Sequence, residues 1–303
     1  MKKCYKLILL SVCIVLFTNV SLRAQTSSDW LSHLTIAQSM ATTDQQALPA
    51  QFNVTFPKNQ GAAFLINLGA KYDFASFSDG SVLSATAEYH RNSMVDSVQN
   101  NLQLGFSYSW RFAHSANGNN TYFLIVDPLY SWDGVAKTNN AETELLLTTK
   151  SILGDHLNLG RPTHWKNKAV TFFLSGYAGM QVQQVFPSDT TMPKGFKLRP
   201  VVKALASYAW NRHVDKSQAY NPNDPIIKIF IDYDLRKTIV NTTADGENFT
   251  HLLNTGVNYY FMTKPAQVSF GLSFVEGADY FSGMKAQQYF LATLNIALQP
   301  SAQ

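Results

Sequence analysis

The chain has 303 residues, of which 24 are Lys or Arg and 20 are Asp or Glu, giving a formal charge of +4. Four of the basic residues, Lys2, Lys3, Lys6 and Arg23, fall in the first 24 positions, which hold no acid, so the remainder balances at zero and no polycationic surface for nucleic acid is expected. Only 15% of residues are charged while 13% are aromatic, a pairing that argues against an ordinary soluble enzyme.

Lys2, Lys3 and Lys6 form a basic start, Leu7 to Phe17 an apolar run broken by Ser11, and Ala24 a small residue before Gln25. That order predicts a cleaved export signal over 1–24, too short to span a bilayer comfortably. Cys4 and Cys13 both lie inside it, so the exported chain is expected to have no disulfide, no thiolate metal site and no cysteine nucleophile. Residues 25–60 read as a leader. Asp29 can cap a short helix carrying Leu31, Leu34, Ala37 and Gln38 on one side, either plugging a lumen or docking on a partner.

Beyond the leader the hydrophobic period is two, the period of a strand with unlike faces. Leu102, Leu104, Phe106, Tyr108, Trp110 and Phe112 alternate with Gln103, Gly105, Ser107, Ser109 and Arg111. Ile227, Ile229, Ile231, Tyr233 and Leu235 alternate with Lys228, Phe230, Asp232, Asp234 and Arg236. Strands are expected near 63–75, 81–92, 101–112, 121–131, 141–151, 168–184, 196–211, 226–239, 249–262, 266–276 and 285–298. The shorter alternation of Phe52, Val54 and Phe56 supplies a twelfth, in keeping with the even strand number of bacterial barrels. Turns are expected at Asp79-Gly80, Asn117-Gly118, Asp133-Gly134, Asn221-Pro222 and Asp245-Gly246.

A secreted sandwich would point the apolar faces inward, and a membrane barrel would point them at lipid. Several segments alternate over eleven residues or more, beyond the five or six usual in soluble strands and close to the nine to eleven that a tilted membrane strand needs. Tyr108 and Trp110, Tyr208 and Trp210, and Tyr259 and Tyr260 sit near segment ends, where an interfacial aromatic girdle belongs. The expected fold is therefore all-β: a closed antiparallel transmembrane barrel of about 12 strands over 61–299, in contact with outer-membrane lipid.

The Leu22-Arg23-Ala24-Gln25 signal end, the long amphipathic strands and the lack of cysteine after the signal together resemble the outer-membrane β-barrels of Bacteroidota. The resemblance covers the whole chain as a pattern, implies a Gram-negative outer-membrane location, and carries no subfamily motif. By size the chain is also similar to accessory barrels of type IX secretion, but their Asn-Pro-Ala-Tyr segment is missing and Leu48-Pro49-Ala50-Gln51 is the nearest stretch.

If the apolar faces meet lipid, Glu88, His90, Arg111, Lys203, Lys228, Asp232, Asp234 and Arg236 line the lumen, with Lys203 opposite Asp232 and Asp234. Such charges either line a passage or fill the barrel as a salt-bridged network. Small residues at Gly105, Ser107, Ser109, Ser269, Gly271 and Ser273 are expected to leave room for water. His90 with Glu88 is a candidate acid-base pair, yet no serine stands at a diagnostic spacing, and His156 and His164 lack metal-ligand spacing. The function expected is a small passive channel or structural barrel without catalysis, cofactor or metal. The alternatives are an accessory barrel with a periplasmic or surface partner, and, behind it, a membrane-embedded lipid enzyme. The connections 151–167 and 211–225 fall on one side, which the strand count makes periplasmic, against the rule that long loops face outward.

Overall fold

The computed structural model describes residues 33–37, 50–55, 63–93, 98–117, 119–153, 157–187, 194–213, 220–243, 248–263, 267–279 and 284–297. The export signal, Asp29 and the Asp245-Gly246 turn lie outside the described residues. In chain order the strands are β1 (Leu34–Ala37), β2 (Ala50–Thr55), β3 (Ala63–Ser76), β4 (Val82–Asn92), β5 (Gln99–His114), β6 (Asn120–Asp133), β7 (Thr138–Ile152) and β8 (Asn158–Leu159). They continue as β9 (Thr163–Trp165), β10 (Val170–Pro187), β11 (Gly195–His213), β12 (Tyr220–Lys237), β13 (Val240–Asn241), β14 (Phe249–Met262), β15 (Gln267–Asp279) and β16 (Met284–Ala297).

Twelve of these, from β2 to β7, β10 to β12 and β14 to β16, form a closed antiparallel barrel. The sheet runs from β11 through β16 to β2 and on to β10, and the β10–β11 ladder completes the circle. Closure joins the first strand of the barrel to the last, which a sheet needs wherever water is absent. The seam between β16 and β2 is a three-residue ladder, Leu294 with Phe52, Asn295 with Gln51 and Ile296 with Ala50, reinforced where Asn53 Nδ2 donates to the Ala292 carbonyl at 2.6 Å.

The alternation maps onto two faces. Outward lie Leu104, Phe106, Leu147, Val202, Ile229, Ile231, Phe270, Leu272 and Leu294, all exposed. Among the described residues, buried polar and charged side chains outnumber buried apolar ones, so the molecule is polar inside and apolar outside. A small apolar cluster of Ile125, Leu146, Tyr177 and Val201 is embedded in that polar interior.

Two expectations change here. Leu34 and Ala37, read as one face of a capped helix, form strand β1, which pairs with Gly69 to Tyr72 of β3 directly beyond the β2 ladder. The open edge of β3 offers those residues backbone partners that an isolated helical turn cannot match. Asn221-Pro222, read as a turn, lies inside β12. That part of β12 meets β11 through register shifts between Trp210 and Asn211 and between Asn211 and His213, and irregular pairing tolerates a proline that cannot donate.

The rim where β16 ends is called the lower rim. There the long connection after β7 does not hang free. β7 and β10 pair from Tyr177–Thr148 to Pro187–Thr138 and diverge below that point. β8 pairs with Ser151 and Ile152 of β7, β9 pairs with Val170 to Phe172 of β10, and the chain between them fills the gap as wall. The Gly160 N–H donates to the Leu174 carbonyl at 2.7 Å, and a side chain at Gly160 would collide with the Thr149 carbonyl, so glycine is required at the tip of this wedge.

Candidate functional site

The interior is built by the alternate residues of neighbouring strands, and its centre is charged. Glu144 of β7 is 1% exposed and accepts from Lys203 Nζ of β11 at 2.7 Å. Arg236 of β12 reaches the other Glu144 oxygen at 3.4 Å and Asp234 Oδ2 at 2.7 Å, and Lys203 Nζ lies 3.9 Å from the same Asp234 oxygen. β7 is separated from β11 by β10, so the Glu144 contacts pass over an intervening strand and join the β7 to β12 sector of the inner wall. Beside this group a second chain follows the wall. Ser131 Oγ donates to Glu142 at 2.9 Å, Gln181 Nε2 to the other Glu142 oxygen at 3.0 Å, and Arg199 to Gln181 Oε1 at 3.1 Å. Asp127 pairs in register with Glu144, and Lys203 and Lys71 act on it against the repulsion of that neighbouring acid.

Placing like charges so close in a confined space is tolerated only when counter-charges and hydrogen bonds satisfy them. The structure supplies both, since Arg199, Lys203 and Arg236 are 2%, 4% and 5% exposed. Solvent therefore reaches almost none of the charges at this level of the barrel.

The other candidate residues fall in three places. Lys228 is buried in the interior on β12, in register with Ala209 and Asn258. Asp232 is half-buried and in register with Leu205, so of the two expected acid partners it is Asp234 that approaches Lys203. Glu88 and His90 form a separate buried chain: His90 Nε2 lies 2.9 Å from Glu88 Oε2, and His90 Nδ1 lies 3.2 Å from Asn67 Oδ1. Asn67 in turn donates to Gln51 at 3.1 Å, tying β4 and β3 to β2. Both ring nitrogens of His90 are engaged, so the pair is arranged as a tie between strands rather than as a base awaiting a hydroxyl.

Arg111 stands apart at the lower rim, where its guanidinium packs against Gly80 and its backbone N–H donates to Ser81 Oγ at 3.0 Å. Gly80 has φ +85° in this turn. Asp79 is held below the usual carboxylate range first by the Ser81 backbone N–H, then by the Ser81 hydroxyl and, more weakly, by Arg111.

Two groups of residues behave differently from expectation. Of the small interior residues, Gly105 and Gly271 do not leave space. A side chain at Gly105 would meet the Pro128 carbonyl, because β6 passes close there, and one at Gly271 would run into Asn295, Asn258 and Thr293. Asn295 donates to Asn258 at 2.9 Å and Thr293 to Asn295 at 2.7 Å, so amide and hydroxyl groups occupy the room beside Gly271.

Of the girdle residues, Tyr259, Trp110 and Trp210 are exposed on the outer face, and Tyr108 and Tyr208 are half-buried on it against Phe77 and Trp210. Tyr260 is 1% exposed and points inward. Adjacent strand residues point to opposite faces, so Tyr259 and Tyr260 cannot both meet the outside.

No family model, curated protein or solved structure matches the chain.

Function has to be read from geometry, and the central acids were missed by sequence reasoning. Glu142 and Glu144 stand two apart on the 141–151 strand and so share a face, a signal available in principle. The run Leu145-Leu146-Leu147 hid it, because Leu146 turns inward into the small apolar cluster and breaks the polar-in pattern. Among the described residues no group of three or more His, Cys, Asp or Glu is placed to hold a metal ion.

Proposed function

We propose that the protein is an outer-membrane barrel with a sealed interior, acting as a structural or accessory component of that membrane rather than as an open channel or an enzyme. The observation that carries this is the burial of the interior polar side chains, with the ion-paired cluster of Glu144, Lys203 and Arg236 on the β7 to β12 sector almost closed to solvent. An ion passing through this cluster would have to break a 2.7 Å charge-assisted bond between buried partners, a barrier unlike the weak, multi-site binding that conduction needs. The apolar outer face, the closed wall and the resemblance to barrels of Bacteroidota support the membrane location.

The test is reconstitution of the chain in planar bilayers after refolding in detergent. The sealed barrel is expected to give no stepwise conductance in wild-type form, and stable ohmic steps would refute it and restore the channel. The accessory role implies a partner at one rim, which co-purification from detergent-solubilised outer membrane would identify.

A further inference from the structure

We propose that the β9–β10 hairpin at the lower rim is a binding site for the anionic phosphate headgroups of membrane lipid, with Lys166 and Lys168 as its charges. This rests on the membrane reading above. Lys166, Asn167 and Lys168 link β9 to β10 and have φ of 49°, 54° and 70°. Three consecutive non-glycine residues in the left-handed region are costly, and a loop keeps such a run only when its surroundings impose it.

Here β11 imposes it. Asn211, buried beneath the turn, donates through Nδ2 to the Lys168 carbonyl at 2.7 Å and to Thr171 Oγ1 at 2.7 Å. Its backbone N–H donates to the Ala169 carbonyl at 2.9 Å, and the turn closes on itself where the Ala169 N–H donates to the Lys166 carbonyl at 3.0 Å. The result is a pinned turn with Lys166, Asn167 and Lys168 all exposed.

The placement matters as much as the pinning. Directly behind the turn, Trp165 stacks on Phe172 with ring centroids 5.7 Å apart and planes 5° from parallel. Both lie in the lower aromatic zone with Tyr208, Trp210 and Tyr122. An aromatic ring at the interface marks the depth of the headgroups, and a lysine one residue beyond it lies level with their phosphates. Arg212 lies near the end of the neighbouring strand β11, where Asp224 engages it at 3.2 Å, which leaves Lys166 and Lys168 as the charges of the turn. A pre-organised pair of exposed lysines backed by stacked rings fits an anionic headgroup, since the rings set the depth and the lysines supply the counter-charge.

The experiment is native mass spectrometry of the detergent-purified barrel titrated with phosphatidylglycerol, with phosphatidylcholine as the zwitterionic comparison. Wild-type protein should retain phosphatidylglycerol preferentially. Lys166→Gln with Lys168→Gln should bind it about thirtyfold more weakly, since each basic side chain at an anionic surface contributes roughly fivefold. Lys137→Gln, an exposed lysine at the opposite rim, should change nothing. Equal retention by wild type and the double variant overturns the site, and so does complete displacement of the lipid by excess inorganic phosphate, which would assign it to a free anion. A wild-type chain that alkaline carbonate washes from membranes overturns the membrane reading itself, a result separable from failed lipid selectivity in an intact barrel.

Discussion

Replacing Lys203 by Glu puts the sealed interior to its most direct test. Lys203 Nζ is 2.7 Å from Glu144 and 3.9 Å from Asp234, with Lys203 and Glu144 almost fully buried. At an effective dielectric of about 20 the shorter contact is worth roughly 6 kcal/mol before desolvation. Desolvation takes back much of that, and removing one partner of a buried pair typically costs about 3–5 kcal/mol. The reversal adds a third carboxylate to a group that then keeps only Arg236 as its close cation, so the cost belongs at the upper end. For a domain of this size that corresponds to a fall of about 10 °C or more in unfolding midpoint. The assay is heat-modifiability on gels with thermal melting in micelles, read at one scan rate because barrels commonly unfold irreversibly. The double variant Lys203→Glu with Glu144→Lys restores one attraction and should recover a coupling of about 2 kcal/mol, which the double-mutant cycle isolates. A Lys203→Glu protein that melts with wild type and only shifts ion selectivity toward cations would refute the reasoning, because a wet lumen is then screening the charges.

Further outcomes follow from individual positions. Tyr259→Trp should be quenched by brominated lipid and Tyr260→Trp should not, as fluorescence in vesicles will show; equal quenching would contradict the inward placement of Tyr260. Gly105→Val drives a branched side chain into the Pro128 carbonyl and should cost about 1–3 kcal/mol or prevent folding, measured by yield of the heat-modifiable form. His164 is pushed below its usual 6.5 by burial and then by Lys168. A depressed histidine means that the unfolded chain takes up the proton first, so stability is full above about pH 6.5 and declines as pH falls toward the folded value. In proton NMR the His164 midpoint should lie under 6.5 and rise in Lys168→Gln, and a midpoint unmoved by that change would remove Lys168 as a cause.

The wall of this barrel was legible because its constraint is local. A strand facing two unlike media must alternate, and Leu102 to Phe112 carry that alternation without interruption inside β5, while the expected 249–262 segment coincides with β14 at both ends. The interior is set by nonlocal geometry. Alternation places Lys203, Asp234 and Arg236 inward, but it cannot say that Glu144, two strands from Lys203, is the acid that reaches it, since that depends on barrel width and stagger. The glycines show the same limit. Read one strand at a time, Gly271 looks like empty space; the neighbouring β14 and β16 fill it with Asn258, Asn295 and Thr293. Leu34 failed for a related reason, because its strand exists only where the edge of β3 offers it partners.

The arrangement after β7 also bears on orientation. The rule that long connections face outward assumes that a long connection is free loop. Here the 153–169 connection supplies β8 and β9 to the wall, with His164 Nδ1 3.1 Å from Thr171 Oγ1 and the Asn158 N–H donating to Thr163 Oγ1 at 2.9 Å. Its length follows from the divergence of β7 and β10, a gap that must be filled by backbone able to hydrogen-bond. Counted as wall, it no longer conflicts, on the proposed outer-membrane reading, with a lower rim facing the periplasm. The same packing explains why a strained lysine turn can persist there: β11 holds its base through Asn211, and the wedge of Gly160 fixes the other end of the insertion between β7 and β10.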